Sequence, residues 1–223
     1  MNNEQLAYGH DFGNYSLFIK KLFIIPMFLP PHYHVSCRWL RWLFRFRHRQ
    51  GYGIHSPFAF HFVTYVVYES GAYYAYPELD RLWQQARRSG LTPLRRKDCR
   101  LLLRLANYVR PVQAVVVGLG PQSVEMACMR AGSRHTKWTA EGCSADLVVA
   151  MKGCEHRAVE LLERVNPGGM LLLYGIGGSA ESRKAWQQLL QQPAAQVSFD
   201  LYDWGVICCR PELQRQHYVV NYL

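Results

Sequence analysis

Ala114-Val115-Val116-Val117-Gly118-Leu119-Gly120-Pro121 is the stretch on which the fold turns. A β-branched run ends in a paired-glycine turn and passes into a helical-looking segment from Gln122 to Ala131. The pattern predicts the strand, tight turn and helix start of a nucleotide-binding βα unit. Small residues there let the backbone approach a ligand, and the helix N-terminus offers N–H groups that have no partner within the helix. A full dinucleotide fingerprint would put a third glycine where Ser123 stands. Two readings stay open: a cofactor turn, and an ordinary strand-to-helix turn.

Working outward on the C-terminal side, the α/β rhythm continues. Residues 146–151 read as strand and 154–165 as helix, with Ala158, Leu161, Leu162 and Val165 inward. A turn is expected at Asn166-Pro167-Gly168-Gly169, a strand at 170–174 and a helix at 180–191 after the loop Gly175-Ile176-Gly177-Gly178-Ser179. That loop either borders a ligand pocket at the strand ends or is a flexible link. Residues 197–202, 205–210 and 217–222 read as three closing strands with no helices between them, hence antiparallel. The expected fold is an α/β three-layer sandwich, a Rossmann-like sheet with an antiparallel C-terminal edge and N-terminal helices. That edge argues against a dehydrogenase of the usual nicotinamide type.

One connection does not fit a regular repeat. Residues 136–140 read as a second strand, yet only Glu141-Gly142-Cys143-Ser144-Ala145 separate them from the next. A parallel crossover takes a dozen or more residues, and five extended residues reach only ~17 Å. Either 136–140 is not a parallel strand, or the sheet is reorganised there.

On the N-terminal side the chain divides into an extension (1–36) and a helical region (37–110) ahead of the α/β domain (111–223). The apolar run Leu22 to Leu29 is broken by Pro26 and too short for a bilayer, which needs ~20 residues. No small-residue cleavage site follows it, so it does not read as a signal peptide. Met27 is an alternative start. From Ser36 to Gln50 arginines interleave with aromatics: Trp39, Trp42, Leu43 and Phe46 share one helical face, Arg38, Arg41 and Arg45 another. One reading docks the aromatic face on the core and leaves the arginines in water. The other is peripheral membrane contact through Arg38, Trp39, Arg41, Trp42, Arg45 and Phe46. Further on, Ser56 and Pro57 mark the start of a helix to about Tyr68, with His55 either catalytic or fixing that start. Helices are also expected at 78–88 and 98–109, with Arg95, Arg96, Lys97, Arg100 and Arg104 on the solvated side of the second.

Charge narrows the partners. The formal net charge is +10, and residues 1–110 hold 16 Lys/Arg against 6 Asp/Glu while residues 111–223 hold 10 against 10. A neutral α/β half has no basic surface for phosphates, so no nucleic acid is expected there. The seven cysteines show neither a Cys-x-x-Cys pair nor a ligand spacing. They read as reduced, buried thiols of a cytoplasmic protein, with vicinal Cys208 and Cys209 facing opposite sides of a strand. No metal site is recognisable.

Gly51-Tyr52-Gly53-Ile54-His55-Ser56-Pro57-Phe58-Ala59-Phe60, a helical spacer, the Gly-x-Gly turn, and Val197-Ser198-Phe199-Asp200-Leu201-Tyr202-Asp203-Trp204-Gly205-Val206 followed by Gln216-His217-Tyr218 resemble class I S-adenosylmethionine-dependent methyltransferases. More narrowly they are similar to small O-methyltransferase-like proteins of Bacteroidetes, over about residues 45–223. The resemblance implies that Gly118 and Gly120 pass under the methionine part of S-adenosylmethionine and that Glu141 hydrogen-bonds the ribose hydroxyls. A solvated loop acid is the other reading of Glu141. The family's acid two residues before the first glycine is Val116 here, and its acids after the fourth and fifth strands fall near Met151-Lys152 and Tyr174-Gly175. Relative to the family, about one strand–helix unit is missing between residues 140 and 146. Two functions follow: small-molecule O-methyl transfer, or a degenerate methyltransferase fold serving as an interaction or scaffold module.

Overall fold

The computed structural model describes residues 35–48, 51–140, 142 and 144–223. Glu141, Cys143 and the run Leu22–Leu29 lie outside them, as do the side chains of Val35, Ser36, Cys37 and Leu40.

Seven strands form one sheet: β1 (Gln113–Val117), β2 (Lys137–Thr139), β3 (Ala145–Ala150), β4 (Val165–Tyr174), β5 (Val197–Asp200), β6 (Trp204–Cys208) and β7 (Gln216–Val219). Their spatial order is β2-β1-β3-β4-β6-β5-β7. The first four are mutually parallel, and β6 runs antiparallel between β4 and β5. The helices are α1 (Val35–Phe44), α2 (Pro57–Phe62), α3 (Tyr76–Arg88), α4 (Arg96–Val109), α5 (Val124–Gly132), α6 (Ala158–Glu163) and α7 (Ala180–Leu190). Alternation along the strands builds two cores. Ala114, Val116, Leu147, Val149, Leu172 and Phe199 pack with α2 to α5 on one face, while Val115, Val148, Leu171 and Ile207 pack with α6 and α7 on the other. Cys208 and Cys209 fall in opposite cores, as the period of two demands. The result is an α/β three-layer sandwich of Rossmann-like type.

Three expectations are corrected. β7 is parallel to β5, not antiparallel: it follows β6 but lies beyond β5 at the sheet edge. The expected turn Asn166–Gly169 sits inside β4, where the register with β3 slips between Ala145 and Leu147. And residues 136–140 do hold a parallel strand, but a stub of three residues. From Thr139 opposite Val115 to Ala145, the chain must step back about three residues and sideways two strand spacings, on the order of 14 Å. Six extended Cα steps reach ~20 Å, which suffices. The link crosses the face of β1, where a Cβ on Gly142 would lie 3.1 Å from Val115 Cγ2 and 3.3 Å from Gln113 Nε2. Among the described residues, no helix or further strand stands between β2 and β3.

The docking of α1 reverses its expected orientation. The arginines, not the aromatics, face the protein. Arg38 Nη1 and Nη2 donate to the two carboxylate oxygens of Asp203 at 3.1 and 3.0 Å, and Arg45 reaches those of Asp200 at 2.9 and 3.0 Å. Arg41 Nη1 donates to the Tyr202 hydroxyl at 3.3 Å, and all three guanidinium groups lie within 4.9–5.5 Å of the Tyr202 ring centroid. Such cation–π stacking adds to the ion pairs. Asn221 also ties down the last turn of α1, its Nδ2 donating to Trp42 O at 3.0 Å.

Burial pushes the Asp200 carboxyl up, but the Arg45 charge and hydrogen bonds, together with the Tyr202 N–H, outweigh it and hold the group below the usual carboxylate range. A depressed folded pKa contributes stability that is complete above the unfolded value near 4 and is lost as pH falls through the folded one. The thermal midpoint is therefore expected to drop below about pH 4, and to drop less in Asp200→Asn, which has already forfeited the pairing. Parallel pH profiles of the two proteins would sink the assignment.

On the basic side of α4, Arg96 is exposed as expected, but Arg95, Lys97 and Arg100 are engaged. Arg95 bridges Asp98 and Asp203 at 2.8 and 2.7 Å, and Arg100 pairs with Asp80. Lys97 Nζ donates to Tyr222 O at 2.9 Å, and its burial, with Arg95 beside it, brings its pKa down to about 8.

Candidate functional site

The βα turn after β1 sits where parallel strands β1, β3 and β4 end, the side on which open α/β sheets bind ligands. Gly118 adopts φ +84°, a left-handed conformation that disfavours any side chain. A Cβ there would lie 3.2 Å from both Met151 Cβ and Cys154 Sγ. Met151 N also donates to Val117 O at 3.1 Å, so the turn is stitched to the loop leaving β3. Gly118 is thus accounted for by its own backbone and its close neighbour. Gly120 is different: a Cβ built on it meets nothing within 4 Å. It is exposed and faces open space at the rim.

Ser123, at the place of a dinucleotide fingerprint's third glycine, is the N-cap of α5, its Oγ accepting from Met126 N at 3.3 Å. That satisfies one of the N–H groups that a helix start leaves without intrahelical partners. Val116 is buried in the core under α2 to α5.

Two acids that the sequence reading passed over stand near these strand ends. Glu125, the second residue of α5, is 1% exposed and accepts from the Thr92 hydroxyl. Glu155 begins the turn before α6 and accepts from Gly153 N at 2.8 Å and Ser182 Oγ at 3.0 Å, tying the β3 exit to the start of α7. A groove of ≈ 930 Å³ opens there, with Lys152, Glu155, His156, Ser179, Ser182 and Lys184 among its lining. No sequence signal singled out Glu125 or Glu155, whose hydroxyl donors, Thr92 and Ser182, lie 33 and 27 residues away in the chain.

The glycine-rich loop after β4 is packed. Gly175 N donates to Asp203 O at 2.6 Å, and a Cβ on Gly177 would lie 2.9 Å from Tyr202 O. Its last residue, Ser179, caps α7 and lines the groove. Tyr202, the residue that the α1 arginines surround, carries φ +79°. His55 is exposed beside Ser56, which caps α2 with Oγ accepting from Ala59 N at 3.4 Å. The structure therefore brings Gly118 and Gly120 to the rim of the parallel strands, and Glu141 falls outside the described residues. Among the described residues, no group of three His, Cys, Asp or Glu side chains is placed to hold a metal ion, and no helix is long and apolar enough to cross a membrane.

No family model and no curated protein matches the chain. Among solved structures, it is similar to the SAH-bound Podospora anserina methyltransferase PaMTH1, with a TM-score of 0.50 and 12% identity, covering 70% of this chain and 97% of that one. It is also similar to cofactor-bound Rv0187 from MTB, at a TM-score of 0.41 and 11% identity over 69% of this chain and 97% of that one. At such identity the first likeness shows the fold.

Proposed function

We propose that the chain is an S-adenosylmethionine-dependent methyltransferase acting on an oxygen of a small molecule. The observation that carries this reading is Gly120, exposed, with open space where its side chain would be, in the turn between β1 and α5. Exposed backbone with no protein atom within 4 Å of a Cβ leaves room for a ligand to lie on it. The shared fold with a methyltransferase that binds SAH supports the choice of ligand. Glu141, following β2, is the residue we assign to the ribose hydroxyls, since a carboxylate accepts from two hydroxyls at once. When bound, the cofactor supplies an electrophilic methyl group. The chain's task is to hold the acceptor oxygen in line with it, and positioning of that kind provides much of the rate even without a strong base.

A second reading, a methyltransferase fold without turnover that acts as an interaction or scaffold module, is favoured by one observation. Among the described residues no strand–helix unit stands between β2 and β3, and only five residues of sequence join the two strands.

Titration calorimetry with S-adenosylmethionine and S-adenosylhomocysteine separates the two. Micromolar binding is expected, weakened about a hundredfold or more in Gly120→Arg, roughly 3 kcal/mol. The thermal midpoint of that variant should hold, because the position is exposed and a Cβ there meets no protein atom within 4 Å. Neither heat nor thermal stabilisation at millimolar ligand would end the cofactor reading and leave the scaffold one.

A further inference from the structure

The arginines of α1 turn inward, and the opposite face therefore turns out. Trp39, Leu43 and Phe46 are 62%, 45% and 53% exposed. At spacings of four and three residues they form one apolar stripe along α1 and the 3-10 turn Phe46–His48 that follows it. We propose that this stripe binds the surface of a lipid bilayer and lays the protein on it, with α1 in the interface plane.

Three observations favour lipid as the occupant. The first is charge. From Phe12 to Tyr68 the sequence holds no Asp or Glu and seven Lys or Arg. Two of those, Arg38 and Arg45, are paired with Asp203 and Asp200, and the span counted together with those two acids carries a formal charge of +5. Anionic headgroups complement it. The second is composition: a tryptophan flanked by leucine and phenylalanine is what interfacial helices present to the headgroup–acyl boundary. The third is size. Three such side chains expose on the order of 300 Å², whereas a stable protein interface needs about 800 Å² per partner. A fluid surface makes no such demand, and the apolar run Leu22–Leu29 ends only six residues before α1 begins.

The arginines thus have a task other than the one their sequence suggests. They clamp α1 to Asp200, Tyr202 and Asp203 so that its apolar side is presented outward, and their replacement would release the helix as well as alter its charge.

The test is co-sedimentation of the full chain with phosphatidylcholine vesicles and with mixed phosphatidylcholine–phosphatidylserine vesicles, beside light scattering in their absence. Binding is expected, stronger on the mixed vesicles, and reduced about tenfold or more in a Trp39→Glu/Phe46→Glu variant. Both positions face water, so its thermal midpoint should match the parent's; Phe46→Leu should retain binding. Three results overturn the proposal: no binding to either vesicle; binding that the glutamates leave unchanged, which would place it elsewhere in the chain; or a dimer that the glutamates dissolve without any vesicle binding, which would make a second copy the occupant.

Discussion

Replacing Arg104 with methionine is expected to destabilise the protein by about 3–5 kcal/mol, measured by urea unfolding. Arg104 comes from the middle of α4 and is 7% exposed. The helix that begins as α2 continues as a π-helix over Val63–Val67, with Tyr68 N donating to Val63 O at 2.9 Å. Its end leaves carbonyls pointing into the core. Arg104 Nε donates to Val66 O at 2.8 Å, Nη2 to Val67 O at 3.0 Å and Nη1 to Glu69 O at 3.1 Å. It also reaches the hydroxyls of Tyr76 and Tyr222, both at 3.4 Å. The named partners of this buried cation are carbonyls and hydroxyls, with no carboxylate among them. The attraction comes from the negative end of the helix. Removing the charge recovers its desolvation cost, which argues for a mild effect. Against that, the buried carbonyls of Val66 and Val67 and the half-buried one of Glu69 lose their donors, at about 1–3 kcal/mol for each buried group. The second effect is the larger. Arg104→Lys should lie between, since one ammonium cannot cover the fork's spread of acceptors. A methionine variant within 1 kcal/mol of the parent would show that the π-helix end is satisfied some other way.

Arg104 also marks where sequence reading stops. Periodicity separates the faces of α4 correctly, with Leu101, Leu102 and Leu105 inward, but it assigns the remaining cations to water by default. Their partners, Val66, Tyr76, Asp80, Asp203 and Tyr222, are set by tertiary placement. The same limit reversed α1. An amphipathic pattern says that a helix has two faces, not which of them docks. The deciding residues, Asp200 and Asp203, lie 155 to 165 positions away in the β5–β6 turn.

What was legible was local chemistry with a fixed period. The β-branched run and glycine turn gave β1 and α5, and alternation put Cys208 and Cys209 on opposite faces. Ser56 with Pro57 gave the start of α2. The short link after β2 was legible as a conflict, since chain length alone forbids a helical crossover there. Its resolution, a three-residue stub and a loop lying on Val115, depended on how far β2 extends. Strand length is the quantity that propensity fixes least. At the site, the need for glycine at 118 was visible, but its cause, the approach of Met151 and Cys154, was not.

Gly205 shows the same hidden cause most sharply, and Gly205→Ala is expected to destabilise by about 3 kcal/mol or more. Gly205 lies within β6, a strand paired on both sides, opposite Leu173 of β4 and Asp200 of β5. A glycine inside a strand weakens it unless something must come close. Here the indole of Trp186, 4% exposed on α7, lies on it: a Cβ would sit 2.5, 2.8 and 2.9 Å from Cζ3, Cε3 and Cη2 of that ring. Ordinary carbon contacts are about 3.5–4 Å, so roughly 1 Å of displacement is required. The strand cannot supply it without breaking two ladders, and the ring cannot because it is packed in the core under α6 and α7. Alanine would relieve glycine's conformational penalty by about 0.5–1 kcal/mol, which the overlap exceeds. The identity of the obstacle gives the decisive check. In a double-mutant cycle with Trp186→Leu, the second substitution should lose much of its own cost in the presence of the first, a coupling of about 1–3 kcal/mol. Additive losses would mean that the alanine disturbs the sheet and not the contact with α7.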